Sequence, residues 1–221
     1  MALLWDVKWT LLSATIVTAK IFVLSAILAV ILSLIFGLAA ISRFRIIRYA
    51  SLTYGEIFRG VSLVVQLFWL YFVLPLFGVT LSATTASVLG VGLCFGAYGA
   101  EVVRASLLSI ADGQRQAAAA LGFPPYLSLS LIEIPQALKI MLPPMANLLV
   151  LILKSTSVTA LITVPELSFT ASALNANLGA SVAVFAYVMF AYYMMAKIIL
   201  IIMRRFESRL ERTNTLRGDQ A

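Results

Sequence analysis

The chain has 221 residues, of which 62% are hydrophobic and 11% charged, against about 25% charged in an ordinary soluble domain, so it is an integral membrane protein with no room for a separate soluble domain. It contains no histidine and one cysteine, Cys94, which excludes a Ser-His-Asp triad, a histidine-rich metal site and an internal disulfide. Its net charge of +7 does not indicate nucleic acid, because the basic residues gather at the ends of apolar runs, where they set membrane topology.

Met1 to Thr10 is short and nearly neutral, Asp6 against Lys8, with no small-residue cleavage site. An uncleaved first span is expected from about 11 to 41, interrupted only by Lys20, whose ammonium should reach the headgroups. Within it Ser25, Ala29, Ser33 and Gly37 fall four apart and form a small-residue ridge where another helix can approach closely. Arg43, Arg45 and Arg48 follow at once and mark the cytoplasmic side, which puts the N-terminus outside. From Phe44 to Phe58 the apolar positions Ile46, Ile47, Tyr49, Tyr54, Ile57 and Phe58 recur at helical spacing beside Arg48, Glu56 and Arg59, the pattern of a helix lying in the inner interface.

A second span is expected over 61–77, with Gln66 inside it, ending at Pro75 and Gly78; an uncharged outer turn follows. The third, 83–107, carries Gly92-x-x-x-Gly96 and then Ala100, a second close-packing face, and Cys94 as a small packing residue. Gly90 and Gly92 do not make a phosphate loop, for no strand and no G-x-G-x-x-G accompany them. Glu101 and Arg104, three apart near the inner end, are expected to pair and to anchor the loop that follows.

That loop, 108–135, is the one polar, helix-prone interval of the chain. Asp112 is placed to cap a short helix, Gln114 to Leu121 are mostly strong helix formers, and Gly122 with Pro124 and Pro125 stops it. Ala117, Ala118, Ala119 and Ala120 give a face with little apolar bulk, suited to lie in another protein's cleft. A fourth span, 136–156, is expected to bend at Pro143-Pro144 and to free carbonyls toward a cavity. Lys154, Thr156, Ser157 and Thr159, with Asn147 and Gln66, are the candidate contacts to the carboxylate and polar groups of a passing solute. Lys154 snorkelling outward, or pairing with Glu166, is the alternative. The stretch 158–179, rich in Ser, Thr, Ala and Asn and without a basic residue, reads as a partly re-entrant outer segment able to gate a path or meet a binding protein. The last span, 180–203, bears Tyr187, Tyr192 and Tyr193. Arg204, Arg205, Arg209, Arg212 and Arg217 follow it, so the C-terminus is inside and the tail Asn214 to Ala221 is expected to be mobile.

Several of these elements keep a familiar order and spacing. Gln116-Ala117-Ala118, then Gly122, then Ile132-x-Ile134-Pro135 resembles the EAA loop of permease subunits of binding-protein-dependent ABC importers. Ala97 to Arg104, Arg59-Gly60 with Leu63 to Leu67, Pro135 to Lys139, Pro143-Pro144, Asn147 and Lys154 to Ser157 resemble the polar amino-acid branch, which includes histidine, glutamine and arginine permeases. The resemblance covers nearly the whole chain. It implies an all-α type I importer permease of about five spans, one domain over 1–221, in the bacterial cytoplasmic membrane. It further implies docking of a cytoplasmic ATPase dimer through Asp112, Gly113, Gln114, Gln116, Ala117, Ala118 and Gly122. A second permease subunit, identical or paralogous, and an external solute-binding protein complete the implied set of partners beside membrane lipid. No G-x-x-x-x-G-K-S/T stretch is present, so ATP and magnesium belong to the partner and the chain is a transport subunit without a cofactor of its own. The implied cargo is a polar amino acid or a zwitterionic compatible solute such as ectoine. Three departures matter: Gln116 stands where the motif has Glu, Val61-Ser62 where many relatives have Thr-Pro, and Ser155 where Asp often follows the lysine, which weighs against a site for cationic amino acids. A channel or stand-alone carrier, and a non-transporting membrane scaffold, are the rival classes, and neither needs a docking helix at this spacing. The small-residue faces of two spans are expected to serve assembly with the second subunit.

Overall fold

From Leu11 to Ala40 the chain has no proline and one charge, so nothing interrupts the helical hydrogen-bond ladder. In the computed structural model, which describes residues 2–179 and 181–218, this stretch is part of α1, Ala2–Ala40. Ala180, where the last span was expected to begin, and 219–221 lie outside the described residues, as do the side chains of Asp6, Arg212 and Arg217. Helix α2, Arg45–Gly60, is followed by an extended Val61-Ser62 and by α3, Leu63–Phe68, which continues as a π-helical turn, Trp69–Val73, and a 3-10 turn, Leu74–Phe77. The two halves meet at 100°. Gln66 holds this elbow: its amide nitrogen donates to the carbonyls of Phe58 and Val61, each at 2.9 Å, groups that a helix end leaves without amide partners.

Helix α4, Ala83–Leu108, begins at Ser82, whose hydroxyl accepts from the Thr85 amide at 3.1 Å. It lies along α1 with both helices running the same way. A Cβ on Gly92 would stand 2.5 Å from Leu28, one on Gly96 2.8 Å from Leu32, and one on Gly37 2.5 Å from Val103, while Ser25, Ala29 and Ser33 are fully buried. The two small-residue faces are therefore spent against each other inside one chain. This corrects their expected use in subunit assembly. In lipid, helices gain contact by backbone proximity, and these are the surfaces of α1 and α4 that permit it.

The loop between 108 and 135 contains α5, Asp112–Ala120, a short α6, Pro125–Ser128, and a π-helical turn, Leu129–Glu133. Helix α7, Ile134–Ser155, then stays helical through Pro143 and Pro144, where a bend was expected. Met141, Met145, Leu148 and Ile152 bury one face of α7 among Ala29, Val91, Phe95 and Val103 of α1 and α4, and that packing carries the helix across the two missing amide donors. The irregular turns sit at its ends instead, the π turn before it and a 3-10 turn, Thr156–Ile162, after it. Helix α8, Leu167–Leu178, packs on α1 and α9 through Leu11, Ala14, Leu167 and Ala191. Helix α9, Ser181–Gly218, continues past 203 because no proline or glycine stops it before Gly218.

Among the described residues four helical stretches are long and apolar enough to cross a membrane, Val7–Ala40, Ala83–Leu108, Pro125–Ile162 and Ser181–Arg209, and the bent pair Arg45–Gly60 with Leu63–Phe77 makes the fifth crossing if it counts as one broken span. The expected second span is thus one arm of an elbow whose other arm is the expected interfacial helix. A Gly92→Leu substitution should force α1 from α4 at Leu28 and cost about 1–3 kcal/mol, seen as a lower unfolding temperature in detergent. Gly113→Ala, whose Cβ meets nothing within 4 Å, should leave that temperature unchanged or slightly raised.

Candidate functional site

Helix α5 starts one residue earlier than the sequence suggested. Ala111 occupies the N-cap position and Asp112 is the first helical residue, its carboxylate accepting from Arg115 Nη1 at 3.3 Å rather than from a backbone amide. The helix ends as expected: Gly122 has φ +78, and the Gly122 and Phe123 amides donate to Ala119 and Ala118 carbonyls at 3.0 Å each, a closure that only a left-handed residue allows and that glycine adopts without strain. Asp112, Gly113, Gln114, Gln116, Ala117, Ala119 and Ala120 are exposed, Ala118 is buried at 1% exposed, and Arg115 is half-buried. In the same loop Leu121, Tyr126 and Leu131 are also large and exposed.

Beneath that face lies a knot that sequence reasoning missed. Arg115 donates from Nε to Glu133 Oε2 at 2.9 Å and from Nη2 to the Leu107 carbonyl at 3.0 Å, and the hydroxyl of Ser128 donates to Glu133 Oε1 at 3.3 Å. Glu133 is buried. The one available signal was an acid set among Leu131, Ile132 and Ile134, which needs a partner wherever it folds. Nearby, Arg104 donates twice to Glu101, at 2.7 and 3.2 Å, as the three-residue spacing predicted. Arg59 joins from α2 at 3.5 Å, so the pair also ties the elbow to α4.

An open cavity of about 650 Å³ lies between the elbow, α4 and α7; Arg59, Ser62, Tyr98 and Ser155 supply its polar groups, and Phe95, Leu148 and Leu151 are among its apolar walls. Its lining includes one cation and no carboxylate. The candidate solute contacts fall elsewhere. Thr156 and Thr159 are buried and donate their hydroxyls to Leu153 and Thr156 carbonyls at 2.7 and 2.6 Å, and Ser157 donates to the Lys154 carbonyl at 2.8 Å. In a tight 3-10 turn each hydroxyl finds the carbonyl three residues back. Gln66 is committed to the elbow, Asn147 is exposed, and Lys154 borders a separate cleft with Tyr192, Tyr193 and Lys197.

Glu166 does not pair with Lys154. It is fully buried and caps α8, accepting from the Ser168 and Phe169 amides at 2.8 Å each and from the Tyr192 hydroxyl at 3.1 Å. Burial pushes its carboxyl above the ordinary glutamate range, and the three donors pull it back only in part. Thr18 of α1 accepts the Leu167 amide at 3.0 Å beside it, so α1, α8 and α9 meet at this one carboxyl.

The family model described as binding-protein-dependent transport system inner membrane component matches residues 29–212. The chain is 37% identical over 202 residues to the probable amino-acid ABC transporter permease protein y4tF of Sinorhizobium fredii, covering 89% of this chain and 85% of that one. It is 33% identical over 217 residues to the L-cystine transport system permease protein TcyB of Bacillus subtilis, covering 96% and 93%. Among solved structures, a crystal structure of an amino acid ABC transporter with histidines superposes with a TM-score of 0.84 at 28% identity, over 93% of this chain and 97% of that one. The inward-facing MetNI methionine ABC transporter shares the fold, with a TM-score of 0.74 at 17% identity over 93% and 98%.

Replacing Glu166 by Ala should leave the first amides of α8 and the Tyr192 hydroxyl without their acceptor and cost about 1–3 kcal/mol. Limited proteolysis in nanodiscs should then cut within 163–179 faster than in the unaltered chain, with cleavage of the 108–135 loop unchanged.

Proposed function

The chain belongs to the family of binding-protein-dependent transport system inner membrane components, and from that premise we propose that it forms half of the membrane path of an ATP-driven importer for a polar, zwitterionic amino acid or a related solute such as ectoine. The observation that carries the coupling part of this reading is the exposed, alanine-built face of α5, Gln116, Ala117 and Ala120, standing proud of the loop on a single buried residue. A face without bulky side chains lets a partner's groove approach the helix backbone closely, and the large exposed apolar residues beside it extend the contact. The partner is a pair of cytoplasmic ATPase subunits that bring ATP and magnesium. Asp112, Gly113, Gln114 and Gly122 frame the docking helix.

The solute path runs through the cavity between the elbow, α4 and α7. Arg59 is its one charged group, and Ser62, Tyr98 and Ser155 its hydroxyls, a set that suits a carboxylate on an otherwise neutral body and offers no anion to a cationic side chain. The L-cystine permease and the Escherichia coli glutamine permease GlnP, 29% identical, are named for zwitterions of this kind. Lys154, which borders a separate cleft, and exposed Asn147 are further contacts outside that cavity, while Gln66, Thr156, Ser157 and Thr159 have donors already given to backbone carbonyls. Arg43, Arg45 and Arg48 at the foot of α1 and Arg204 and Arg205 on α9 favour a bacterial cytoplasmic membrane with the α5 loop inside and the N-terminus outside. An external binding protein delivers the solute, and a second permease subunit faces this one through surfaces other than the α1–α4 seam.

The test is uptake into proteoliposomes holding this chain, its ATPase, its sister permease and its binding protein, with glutamine, cystine, arginine and ectoine as probes. ATP-dependent accumulation of a zwitterion over arginine supports the reading. Accumulation without ATP would establish the channel or carrier class instead, and no accumulation of any amino acid would end the importer assignment. Ala117→Glu with Ala120→Glu should weaken ATPase co-purification by about tenfold or more, with the permease still folded. Arg59→Gln should raise the half-saturating solute concentration by about tenfold and leave ATPase binding intact.

A further inference from the structure

We propose that Arg115 and Glu133 are positioning residues that carry the motion of α5 into α7, an inference that rests on the importer reading above. Helix α5 has two side chains turned toward the bundle, Ala118, which is small, and Arg115, which is half-buried. The covalent route from α5 to α7 is soft. It passes Gly122, in left-handed conformation with nothing within 4 Å of its would-be Cβ, then Pro124, the four-residue α6 and a π-helical turn. Displacement applied at the exposed alanine face is absorbed along that route unless a second link bypasses it.

Arg115 is that link. One guanidinium joins the end of α4 through the Leu107 carbonyl, the start of α5 through Asp112, and the foot of α7 through Glu133. Glu133 is the last residue of the π turn, directly before the first residue of α7, and Ser128 fixes its other oxygen. The planar fork of arginine holds direction as well as distance, which a lysine ammonium does not. From this foot the continuous α7 leads to Leu148, Leu151 and Ser155 on the cavity wall, at about 1.5 Å per residue some 22–33 Å away. A movement of α5 thereby reaches the path as movement of a stiff rod. For folding alone the pair is dispensable in principle, because a buried ion pair can be replaced by apolar residues of similar volume at little or no loss of stability.

That difference supplies the test. The double variant Arg115→Met, Glu133→Leu removes both charges and leaves none buried alone, and it is assembled with ATPase, sister permease and binding protein in proteoliposomes. The readouts are complex assembly, ATP hydrolysis, and accumulation from a mixture of radiolabelled amino acids and ectoine. The expected result is normal assembly, hydrolysis within about twofold of the unaltered complex, and solute moved per ATP reduced by about tenfold, with Arg115→Lys recovering part of the loss. If the double variant does not assemble, Glu133→Gln, which keeps shape and one acceptor, should show the same uncoupling to a smaller degree. An unchanged ratio of solute to ATP in the assembled variants would overturn the link and leave the importer reading standing. Absence of ATP-driven uptake by the unaltered complex would overturn the importer reading itself, and the link with it.

Discussion

In a bilayer an apolar side chain gains nothing by turning inward, so the bundle depends on how closely the backbones of α1 and α4 can approach. Gly37, Gly92, Gly96 and Gly99 leave room for Val103, Leu28, Leu32 and Ser33 of the opposite helix, and the Ser33 hydroxyl reaches the Gly96 carbonyl at 3.3 Å. Everything else is laid over that seam. The Ser51 hydroxyl donates to the Phe36 carbonyl of α1, the Tyr54 hydroxyl to the Leu93 carbonyl of α4 at 2.7 Å, and Tyr54 stacks on Phe36 with ring centres 4.0 Å apart. The α2 arm of the elbow is thereby seated across both helices, and its corner at Val61 and Ser62 becomes one side of the cavity.

Where hydrocarbon replaces water, a polar group without a partner is costly, and most polar side chains inside this bundle are engaged in holding an irregular place. Gln66 closes the elbow, Thr156 and Thr159 close the 3-10 turn after α7, Glu166 starts α8, and Glu101 joins α2 to α4 through Arg59 and Arg104. The chain is thus stiff at its breaks. Two regions keep open surface, the cavity, whose cation Arg59 is shared with Glu101, and the alanine face of α5. Those are the surfaces to which the proposed function assigns solute and ATPase.

The distance between these two regions sets the mechanical problem of the molecule. In the proposed importer, force would enter at a two-turn helix on a loop and solute would be released most of a helix length away. A polypeptide connection through a glycine, two prolines and a π turn is a poor transmitter. The charged pair between α5 and the foot of α7 would meet that need with two side chains, and burial of Glu133 keeps solvent from competing for its partner.

Local patterns in the sequence were sufficient for the apolar spans, the ridge at four-residue spacing, the stop at Gly122 and the pairing of Glu101 with Arg104, since each is written within a few turns of helix. The order and spacing of the loop motif sufficed for the family. The sequence could not tell that the two small-residue faces meet each other, that 45–60 and 61–77 share one elbow, that α7 stays helical at Pro143-Pro144, or that Thr156, Thr159 and Gln66 spend their donors on backbone. Nor could it join Arg115 to Glu133 or Arg59 to Glu101, whose partners sit on different elements and follow no helical spacing. Periodicity reports which face of a helix is apolar or small, whereas the choice of neighbour for that face is made only when all helices compete for the same contacts and every buried polar group must be satisfied at once.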